Sequence, residues 1–315
     1  MRSAIGIDVG GTKVGGLLVG EDGEVLGQET ADTPAEDVEA TMETIYRVAQ
    51  ALSGRGEPEG IGIGAAGMVD FEAGTLRFAP NLAWKEVPIR DLVREHTGLS
   101  TVVDNDANVA AWGEYRFGAG RGYRDVLVVT VGTGIGGGII SGGRLLRGAH
   151  GFAGEIGHFI VEPGGPWCGC GNQGCWEQVA SGRALDRAAR EGADSRPDSL
   201  IATLGGGHAA EGRHVSEAAR RRDRMAIRIL DAVGRRLGEG IAGLANVLDP
   251  EAVVIGGGVA DIGDLLLDPA REAFRGAVEA PEHRPEVPLL PAQLGNRAGA
   301  IGAAALALDV AAGTA

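Results

Sequence analysis

The sequence predicts an α/β protein made of two similar halves. Short apolar runs beside glycines, such as Gly60–Gly64 and Ala252–Ile255, indicate buried strands, and longer runs with apolar residues every three to four positions indicate helices. A pattern of strand, Gly-Thr turn, strand and glycine turn begins at Ala4 and recurs about 120 residues later at Val126. The recurrence indicates an internal duplication, and the mixture of strands and helices indicates the α/β class.

The first half begins with three strands, because two apolar runs flank a glycine turn and an Asp-Gly turn leads to a third run. A helix with one apolar face follows, and then a buried strand, a second helix that Gly98 ends, another strand and a helix that stops at Gly118. The predicted ranges are Ala4–Ile7, Val14–Val19, Glu24–Leu26, Ala35–Leu52, Gly60–Gly64, Ile89–His96, Thr101–Val103 and the helix that carries Val109 and Trp112.

The second half repeats the strand–turn–strand opening from Val126. The stretch Ser195–His214 is polar and glycine-rich, which predicts an ordered loop. Apolar spacing predicts a long helix from Ala226 that ends at Asp249-Pro250, because the residue before a proline disfavours the helical conformation. The remaining predicted elements are the strand Ala252–Ile255, a helix that contains Leu265–Leu267 and a terminal helix over Ala298–Ala312 that packs back on the first half.

The composition excludes some classes of protein. The chain has 315 residues, of which 44% are hydrophobic and 23% charged, as in a globular protein of one large or two ordinary domains. Its formal net charge of −14 argues against general affinity for nucleic acid or anionic membranes. The first residues form no signal-peptide pattern, and the most apolar stretch, 298–312, is short and contains Asp309. We therefore expect a soluble cytoplasmic protein.

Glycine turns provide three candidate sites for a phosphorylated ligand. In the first, Gly10 and Gly11 allow backbone N–H groups to approach phosphate oxygens, Thr12 and Lys13 can donate further hydrogen bonds, and Asp8 is placed to hold a Mg²⁺–water shell. A tight hairpin turn with a surface lysine explains the same residues equally well. The Walker spacing is absent.

The second candidate turn, Gly132-Thr133-Gly134, lies in a G-x-G-x-x-G match, but the residues after the match indicate a strand rather than the helix that a dinucleotide site requires. We therefore predict a second phosphate-binding turn. The third candidate, Gly256-Gly257-Gly258, follows a buried strand and opens a helix, which suits the nucleoside end of a ligand or, nearly as well, a strand–helix turn without a ligand.

A cysteine cluster predicts a metal site. Cys168, Cys170 and Cys175 lie within eight residues, and His158 precedes them by ten, which together supply the Cys₃His ligand set of a tetrahedral zinc ion. A disulfide with a free thiol, or plain buried cysteines, are the alternatives. Because the set leaves no open coordination position, we expect structural zinc that clamps the loop between His158 and Glu177.

Polar residues near the cluster and after a strand predict a catalytic centre for a polyhydroxy substrate. Asp106 follows an apolar strand at the start of a helix, whose dipole favours an ionised carboxylate, as a general base requires. Asn105 can donate to and accept from a hydroxyl, and Glu155 and Glu177 are acceptors suited to vicinal hydroxyls. Alternatively, Asp106 is merely a helix cap, with Asn108 as its competitor.

Together these motifs resemble the ROK family of repressors, open reading frames and sugar kinases. They are Asp8-x-Gly-Gly-Thr-Lys13, Asp104-Asn-Asp-Ala-Asn108, Gly132-Thr-Gly-Ile-Gly-Gly137, Glu155-Ile-Gly-His158 and the cysteine motif from Cys168 to Glu177. The resemblance implies the actin/hexokinase-like (ribonuclease H-like) ATPase fold, with two α/β domains flanking an active-site cleft. The small domain would span 1–108, joined by the C-terminal helix 299–315, and the large domain, with the zinc-binding loop, would span 109–298.

The resemblance is closest to the actinobacterial-type glucokinases of that family, and it implies transfer of the γ-phosphoryl group of ATP to the 6-hydroxyl of D-glucose. Asp106 would be the catalytic base, and the glycine turns would bind ATP with Mg²⁺, with Gly257 and its neighbours near the adenosine. His158 would use one ring nitrogen for zinc and the other for sugar. The implied sugar contacts are Asn105, Asp106, Glu155, His158, Glu177, Gly67 and Asn81. Homodimers or homotetramers are usual in the family.

Other activities remain open at this point. A ROK kinase could act on N-acetylglucosamine, N-acetylmannosamine, fructose or mannose, and a polyphosphate donor is a further possibility that the complete cysteine motif disfavours. A sugar-responsive regulator is the alternative outside enzymes. The regulators carry an N-terminal helix-turn-helix, whereas the first predicted strand here begins at Ala4.

Overall fold

The computed structural model describes residues 2–79 and 84–314 and has the mixed α/β architecture that the sequence predicts. The described strands are β1 Ser3–Val9, β2 Lys13–Gly20, β3 Val25–Asp32, β4 Gly60–Ala65, β5 Met68–Asp70, β6 Thr75–Phe78, β7 Lys85–Val87, β8 Ser100–Asn105, β9 Val126–Val131, β10 Ile135–Ser141, β11 Arg144–Leu145, β12 Ala252–Gly256 and β13 Leu289–Pro291. The described α-helices are α1 Val38–Ser53, α2 Ile89–Thr97, α3 Asp106–Phe117, α4 Glu177–Ala180, α5 Gly182–Ser195, α6 Leu200–Gly205, α7 Gly212–Arg220, α8 Arg224–Leu248, α9 Asp264–Ala277 and α10 Ala298–Ala312.

The first sheet brings the ends of three strands together. Its order is β3-β2-β1-β4-β8, and β4 runs parallel to both β1 and β8. The register pairs Asp8 with Gly64 and Gly64 with Asp104. Because parallel strands end at the same edge of a sheet, Asp8 and the turn after β8 lie at one edge. The buried residues between this sheet and α1, such as Ile5, Ile45 and Ile63, form a core.

The second five-stranded sheet has the order β11-β10-β9-β12-β13. As in the first sheet, three consecutive strands lie side by side, and the later strands are added next to the earliest of the three. The equal strand order agrees with the predicted duplication. A third sheet, β5-β6-β7, has no counterpart in the sequence prediction.

The terminal helix α10 is buried along most of its length. Its backbone lies so close to the first sheet that a Cβ atom on Gly6 or Gly62 would overlap the carbonyl oxygen of Ala300 or Ala303. On another face, Gly302 lies against the carbonyl of Val109 in α3. These approaches need small side chains on both partners, which explains the Ala- and Gly-rich composition of this helix.

Contacts divide the chain into two compact units. The first comprises Met1–Val128, Gly137–Gly154 and Ala292–Ala315, and the second comprises Val129–Gly136 and Glu155–Pro291. These ranges differ from the predicted boundary at residue 108, because α3 packs against α10 and therefore belongs to the first unit. Among the described residues, no helix is both long and apolar enough to cross a membrane.

Two predictions about local structure are wrong. The stretch Ser195–His214 contains α6 and the start of α7 rather than a loop, because buried residues such as Ile201 and Val215 give these short helices an apolar face. Ser199 also caps α6 by accepting the Ala202 N–H at 3.1 Å. Gly256–Gly258 does not open α9 directly, since a 3₁₀ turn over Ala260–Ile262 intervenes.

Candidate active site and metal centre

Asp106 is the first residue of α3, directly after β8. Its carboxyl group is buried, which raises its pKa, although the N–H of Ala107 and the side chain of Asn105 lower it. The net direction is upward, because burial outweighs these hydrogen bonds. That the helix dipole keeps this carboxylate ionised stays a prediction. A carboxylate with a raised pKa is a stronger proton acceptor when ionised, which suits a general base.

Asn105, rather than Asp106 or Asn108, caps α3. Its Oδ1 accepts the N–H groups of Ala107 at 2.9 Å and Asn108 at 3.2 Å, and its Nδ2 donates to the Gly67 carbonyl at 2.9 Å. The predicted sugar contacts Asn105 and Gly67 therefore touch each other. The amide oxygen of Asn105 already accepts two backbone N–H groups. Its Nδ2 carries a second N–H besides the one donated to Gly67. The predicted contact Asn81 lies outside the described residues.

Asp8 lies in β1 near the start of α10, where a Cβ atom on Gly299 would come 3.0 Å from its Oδ2. Burial and, to a smaller extent, the charge of Asp106 together raise the pKa of Asp8 to about 7. The two carboxylates therefore interact within the first unit. No lysine or arginine of the described residues forms an ion pair with either one, so both carboxylates favour a bound cation or a proton.

The first glycine turn is tied down by its neighbours. Gly10 donates its N–H to the Lys13 carbonyl at 3.0 Å, and Thr33 Oγ1 donates to the Gly10 carbonyl at 2.8 Å. Thr12 and Lys13 are exposed, whereas Gly10 and Gly11 are half-buried. The structure thus fixes the turn and leaves the donors of both side chains accessible.

The second unit contains the cysteine cluster. The ligand atoms of His158, Cys168, Cys170 and Cys175 all lie within 4.8 Å of one another. His158 Nδ1 faces Cys168 Sγ at 3.6 Å, and its Nε2 lies 3.9 Å from Glu155 Oε2. One ring nitrogen therefore points to the thiols and the other to a carboxylate.

The arrangement of the sulfur atoms excludes a disulfide and fits a soft cation. All three cysteines are free, and Cys170 Sγ and Cys175 Sγ are 3.5 Å apart, compared with about 2.05 Å in a disulfide. Burial raises the pKa of Cys175 to about 12, and it raises that of Cys168 as well. Crowded thiols of this kind become thiolates when a cation such as Zn²⁺ binds them.

The loop that carries the cluster is held by backbone pairing and a buried indole. Val161 donates to the Gly174 carbonyl at 2.9 Å, and Trp176 donates its backbone N–H to the Phe159 carbonyl at 3.0 Å. The fully buried Trp176 ring also donates its Nε1–H to the Arg236 carbonyl of α8 at 2.9 Å. The thiols are thus attached to the core of the second unit.

Glu177 connects the cluster with the second glycine turn. Its Oε1 accepts from Cys168 Sγ at 3.1 Å, and its Oε2 lies so close to Gly134 that a Cβ atom there would overlap it. The same turn contacts the start of α5, where Ser181 Oγ donates to the Thr133 carbonyl at 3.0 Å and Gly182 donates to the Gly132 carbonyl at 2.8 Å. Cys168, the Glu177 carboxylate and the glycine turn therefore form one connected set within the second unit.

The third glycine turn has a structural reason of its own. Gly257 has a φ of +87°, and a Cβ atom there would lie 2.5 Å from the Val131 carbonyl oxygen, so only glycine fits. Gly258 has open space around its Cα. Close packing against β9 explains Gly257, and a nucleoside contact remains a prediction.

Comparison with known proteins identifies the family, because residues 4–310 match the ROK family. The chain belongs to the ROK family. It is 44% identical to a glucokinase of Streptomyces coelicolor, with 98% of each chain covered. The structure of a ROK family glucokinase from Streptomyces griseus in complex with glucose and AMPPNP is 47% identical with a TM-score of 0.88, and covers 98% of this chain and 99% of that chain. A xylose repressor of Caldicellulosiruptor bescii is 35% identical over 86% of this chain and 70% of the repressor.

The family and the fold class that the sequence predicts are therefore confirmed. In this ROK chain the predicted residues fall into two sets. Asp8, the first glycine turn, Gly67, Asn105 and Asp106 belong to the first unit, and the others within the described ranges belong to the second.

Sequence reasoning missed two residues that support Asp106. Asp104 is 1% exposed and accepts hydrogen bonds from both ends of the Asp106 turn, and Arg147 pairs with it. The position of Asp104 at the end of a strand was a usable signal. Arg147 offers none, since it lies 43 residues away along the chain.

The first unit also contains a cavity of about 470 Å³. None of the predicted sugar- or phosphate-binding residues within the described ranges lines it. Its lining residues are Asp70, Phe71, Glu72, Arg77, Arg147, Gly148, Ala149, His150, Gly151 and Phe152.

Proposed function

We propose that this protein is an ATP-dependent glucokinase that transfers the γ-phosphoryl group of ATP to the 6-hydroxyl of D-glucose. The observation that carries the proposal is the match over nearly the whole chain to a glucokinase whose structure contains glucose and AMPPNP. The buried carboxyl group of Asp106, with its raised pKa, supplies the base that this reaction needs.

Asp106 accepts the proton of the 6-hydroxyl as that oxygen attacks the γ-phosphorus and ADP leaves. Phosphoryl transfer depends mostly on positioning and charge neutralisation, so one well-placed carboxylate is sufficient protein chemistry for the acceptor. Asn105 and Gly67 support this carboxylate in our proposal, because the Asn105 amide donates to the Gly67 carbonyl and its side chain also favours the ionised form of Asp106.

Glu155, His158 and Glu177 bind the other hydroxyl groups of the sugar. The Nε2 side of the His158 ring and the exposed carboxylate of Glu155 provide a donor and an acceptor next to each other. Glu177 shares its carboxylate between Cys168 and the Gly134 turn, so its orientation is fixed before a sugar binds.

The Cys₃His cluster holds a structural zinc ion in this proposal. The support is the convergence of three thiols and an imidazole within 4.8 Å, which is the donor set that zinc prefers. The ion would fix the imidazole of His158 and hold the loop up to Glu177 in place.

The glycine turns bind the phosphates of ATP. Lys13, Thr12 and the N–H groups of both turns donate to phosphate oxygens, and the positive end of the α5 dipole lies beside Thr133. Mg²⁺, held through Asp8, would neutralise the charge of the transferring phosphate. Gly258, with open space around it, contacts the adenosine.

A coupled assay with ATP tests the proposal and its alternatives on one purified sample. The acceptors are glucose, mannose, fructose, N-acetylglucosamine and N-acetylmannosamine. We expect the highest kcat/KM with glucose, and a higher value with another hexose would replace glucose by that sugar. Polyphosphate in place of ATP tests the donor.

The similarity to a xylose repressor makes a sugar-responsive regulator the second candidate. Fluorescence anisotropy with DNA from upstream of the coding sequence, at moderate salt, tests it. The absence of phosphorylation together with sugar-dependent DNA binding would favour the regulator.

A further inference from the structure

Arg147 lies in the loop after β11 and contacts the turn that carries Asp106 only through another residue. Its Nε donates to Asp104 Oδ2 at 2.8 Å, and its guanidinium carbon lies 3.8 Å from the centroid of the Phe71 ring. The Arg147 side chain is 18% exposed and that of Asp104 is 2% exposed. This is the most buried ion pair among the described residues, and all three residues belong to the first unit.

Asp104 spans the turn that carries the proposed base. Its Oδ1 accepts the backbone N–H of Asn105 at 2.8 Å and the Nδ2–H of Asn108 at 2.9 Å. Asp106 lies between these two donors, in the first turn of α3. The Asp104 carboxylate therefore holds both ends of the segment that orients the Asp106 carboxyl group.

A buried carboxylate needs a partner for its charge. Of the described residues, Arg147 is the cation that pairs with Asp104, and removing one member of a buried pair leaves the other uncompensated. The backbone of Arg147 is fixed as well, because its carbonyl accepts the Ala153 N–H at 2.9 Å. Gly148, with a φ of +75°, allows the loop to turn back at this point. The guanidinium thus has a defined position from which to hold Asp104.

We propose that Arg147 is a positioning residue for phosphoryl transfer: through Asp104 it sets the orientation of Asp106 against the sugar hydroxyl. The inference rests on the proposed function, in which Asp106 is the base. Within the described ranges, Arg147 forms no hydrogen bond or ion pair with the proposed base or with any other predicted sugar- or phosphate-binding residue.

The test compares Arg147→Met, Arg147→Lys and the control Arg55→Met by steady-state kinetics. Arg55 also forms an ion pair in the first unit, with Glu29 at 2.7 Å, but it is exposed and remote from the Asp106 turn. For Arg147→Met we expect kcat per folded protein to fall about 100-fold, as for a misplaced catalytic group, while KM for glucose changes less than about threefold. Arg147→Lys, which keeps the charge, should recover part of kcat, and Arg55→Met should match the wild type.

A merely structural role would lower the melting temperature without this selective loss of kcat, and that result would overturn the proposal. If Arg147→Met does not fold, Arg147→Lys decides: it should show the same type of change on a smaller scale, and wild-type kcat would overturn the proposal. In an Asp104→Asn background, Arg147→Met should cause little further loss, because the pair is already broken. If the losses of kcat in the two single variants multiply in the double variant, Arg147 does not act through Asp104.

Hydrogen exchange separates this inference from the proposed function. Amide exchange in a peptide that covers 104–110 should be faster in Arg147→Met than in the wild type, even if the wild type phosphorylates no sugar. Failure of the wild type in the sugar assay would refute the glucokinase proposal alone. Unchanged exchange in this peptide would refute the positioning role alone.

Discussion

The described residues of each unit contain one group of side chains that could bind a cation, but the chemistry of the two groups differs. In the first unit, burial raises the pKa of the carboxyl groups of Asp8 and Asp106, which are hard oxygen donors. In the second unit, three thiols and an imidazole converge within 4.8 Å. Carboxylates with a raised pKa can exchange protons and cations readily, whereas a closed set of soft donors retains a bound ion. The carboxylates of the first unit are therefore suited to catalysis, and the cluster of the second unit is suited to holding the structure of its loop.

Asp104 shows what a supporting carboxylate looks like in the first unit. It is two residues from Asp106, yet it has a partner for each oxygen, from Asn105, Asn108 and Arg147. Asp106 accepts the N–H of Ala107 at 2.9 Å, and within the described residues no arginine or lysine forms an ion pair with it. The presence of an arginine partner therefore distinguishes Asp104, the supporting carboxylate, from Asp106, the proposed base.

The largest expected effect is on turnover, and it comes from Asp106→Asn. The amide has nearly the same shape but cannot accept the 6-hydroxyl proton, so kcat should fall about 10³-fold, within the range for general-base catalysis. Calorimetry should show near-normal glucose affinity. Asp91→Asn, in the first turn of α2 and with a side chain that is 44% exposed, is the control. Turnover that survives in Asp106→Asn would contradict its role as the base.

The next effect is on stability, and it concerns Asp8. Its pKa is about 7 in the folded protein and 3.8 in the unfolded reference, so the folded state binds the proton more tightly. The contribution of Asp8 to the free energy of unfolding therefore falls as pH rises from about 4 to 7, by about 4 kcal/mol in total. Asp8→Asn should remove this fall.

Urea unfolding of the wild type and of Asp8→Asn at several pH values, without nucleotide or divalent cations, measures the difference. The variant should gain stability relative to the wild type between pH 4 and 8, while it loses activity. Asp22→Asn, in an exposed turn, should run parallel to the wild type. Parallel curves for Asp8→Asn as well would show that its carboxyl group is not perturbed.

In the second unit, Cys170→Ala tests whether the cluster supports the sugar residues. Removing one ligand should abolish zinc binding, measured by atomic absorption, and should raise KM for glucose by about 10- to 100-fold, as for lost support around a metal site. Zinc added after chelation should restore the wild type but not the variant. Normal kinetics in zinc-free protein would contradict the link between metal and sugar.

The sequence predicted the parts of both regions that depend on local patterns. The boundaries between strand, glycine turn and helix predicted where Asp8 and Asp106 lie in the fold, and the cysteine spacing predicted the cluster with His158. Each of these signals lies within a short stretch of sequence. The ion pair of Asp104 with Arg147 could not be predicted, since it depends on how β11 and its loop fold against β8. The short helices within 195–214 were missed because each has too few apolar residues to show a helical period.

The raised pKa of Asp106 could not be predicted for a related reason. The helix dipole follows from the local sequence, but the desolvation that raises the pKa comes from the surrounding fold. The alternative in which Asp106 or Asn108 caps the helix is wrong, because all three side chains are good caps and only the backbone geometry selects Asn105.

The smallest expected effect comes from Gly134→Ala, which tests how tightly Glu177 is positioned. The added methyl group would displace Glu177 Oε2, and the carboxylate can rotate only at the expense of its contact with Cys168. We expect KM for glucose to rise about tenfold, as for one weakened hydrogen bond to a charged group, with a smaller change in KM for ATP.

Gly132→Ala is the matched control in the same turn, since a Cβ atom there meets nothing within 4 Å. It should leave KM for glucose unchanged, and any effect should appear in KM for ATP, because this residue belongs to the proposed phosphate-binding turn. If both variants raised KM for glucose equally, the effect would come from a general disturbance of the turn and not from the displacement of Glu177. Glu177 would then not be the connection between the metal cluster and the sugar, and the support that we assign to the second unit would have to act through His158 alone.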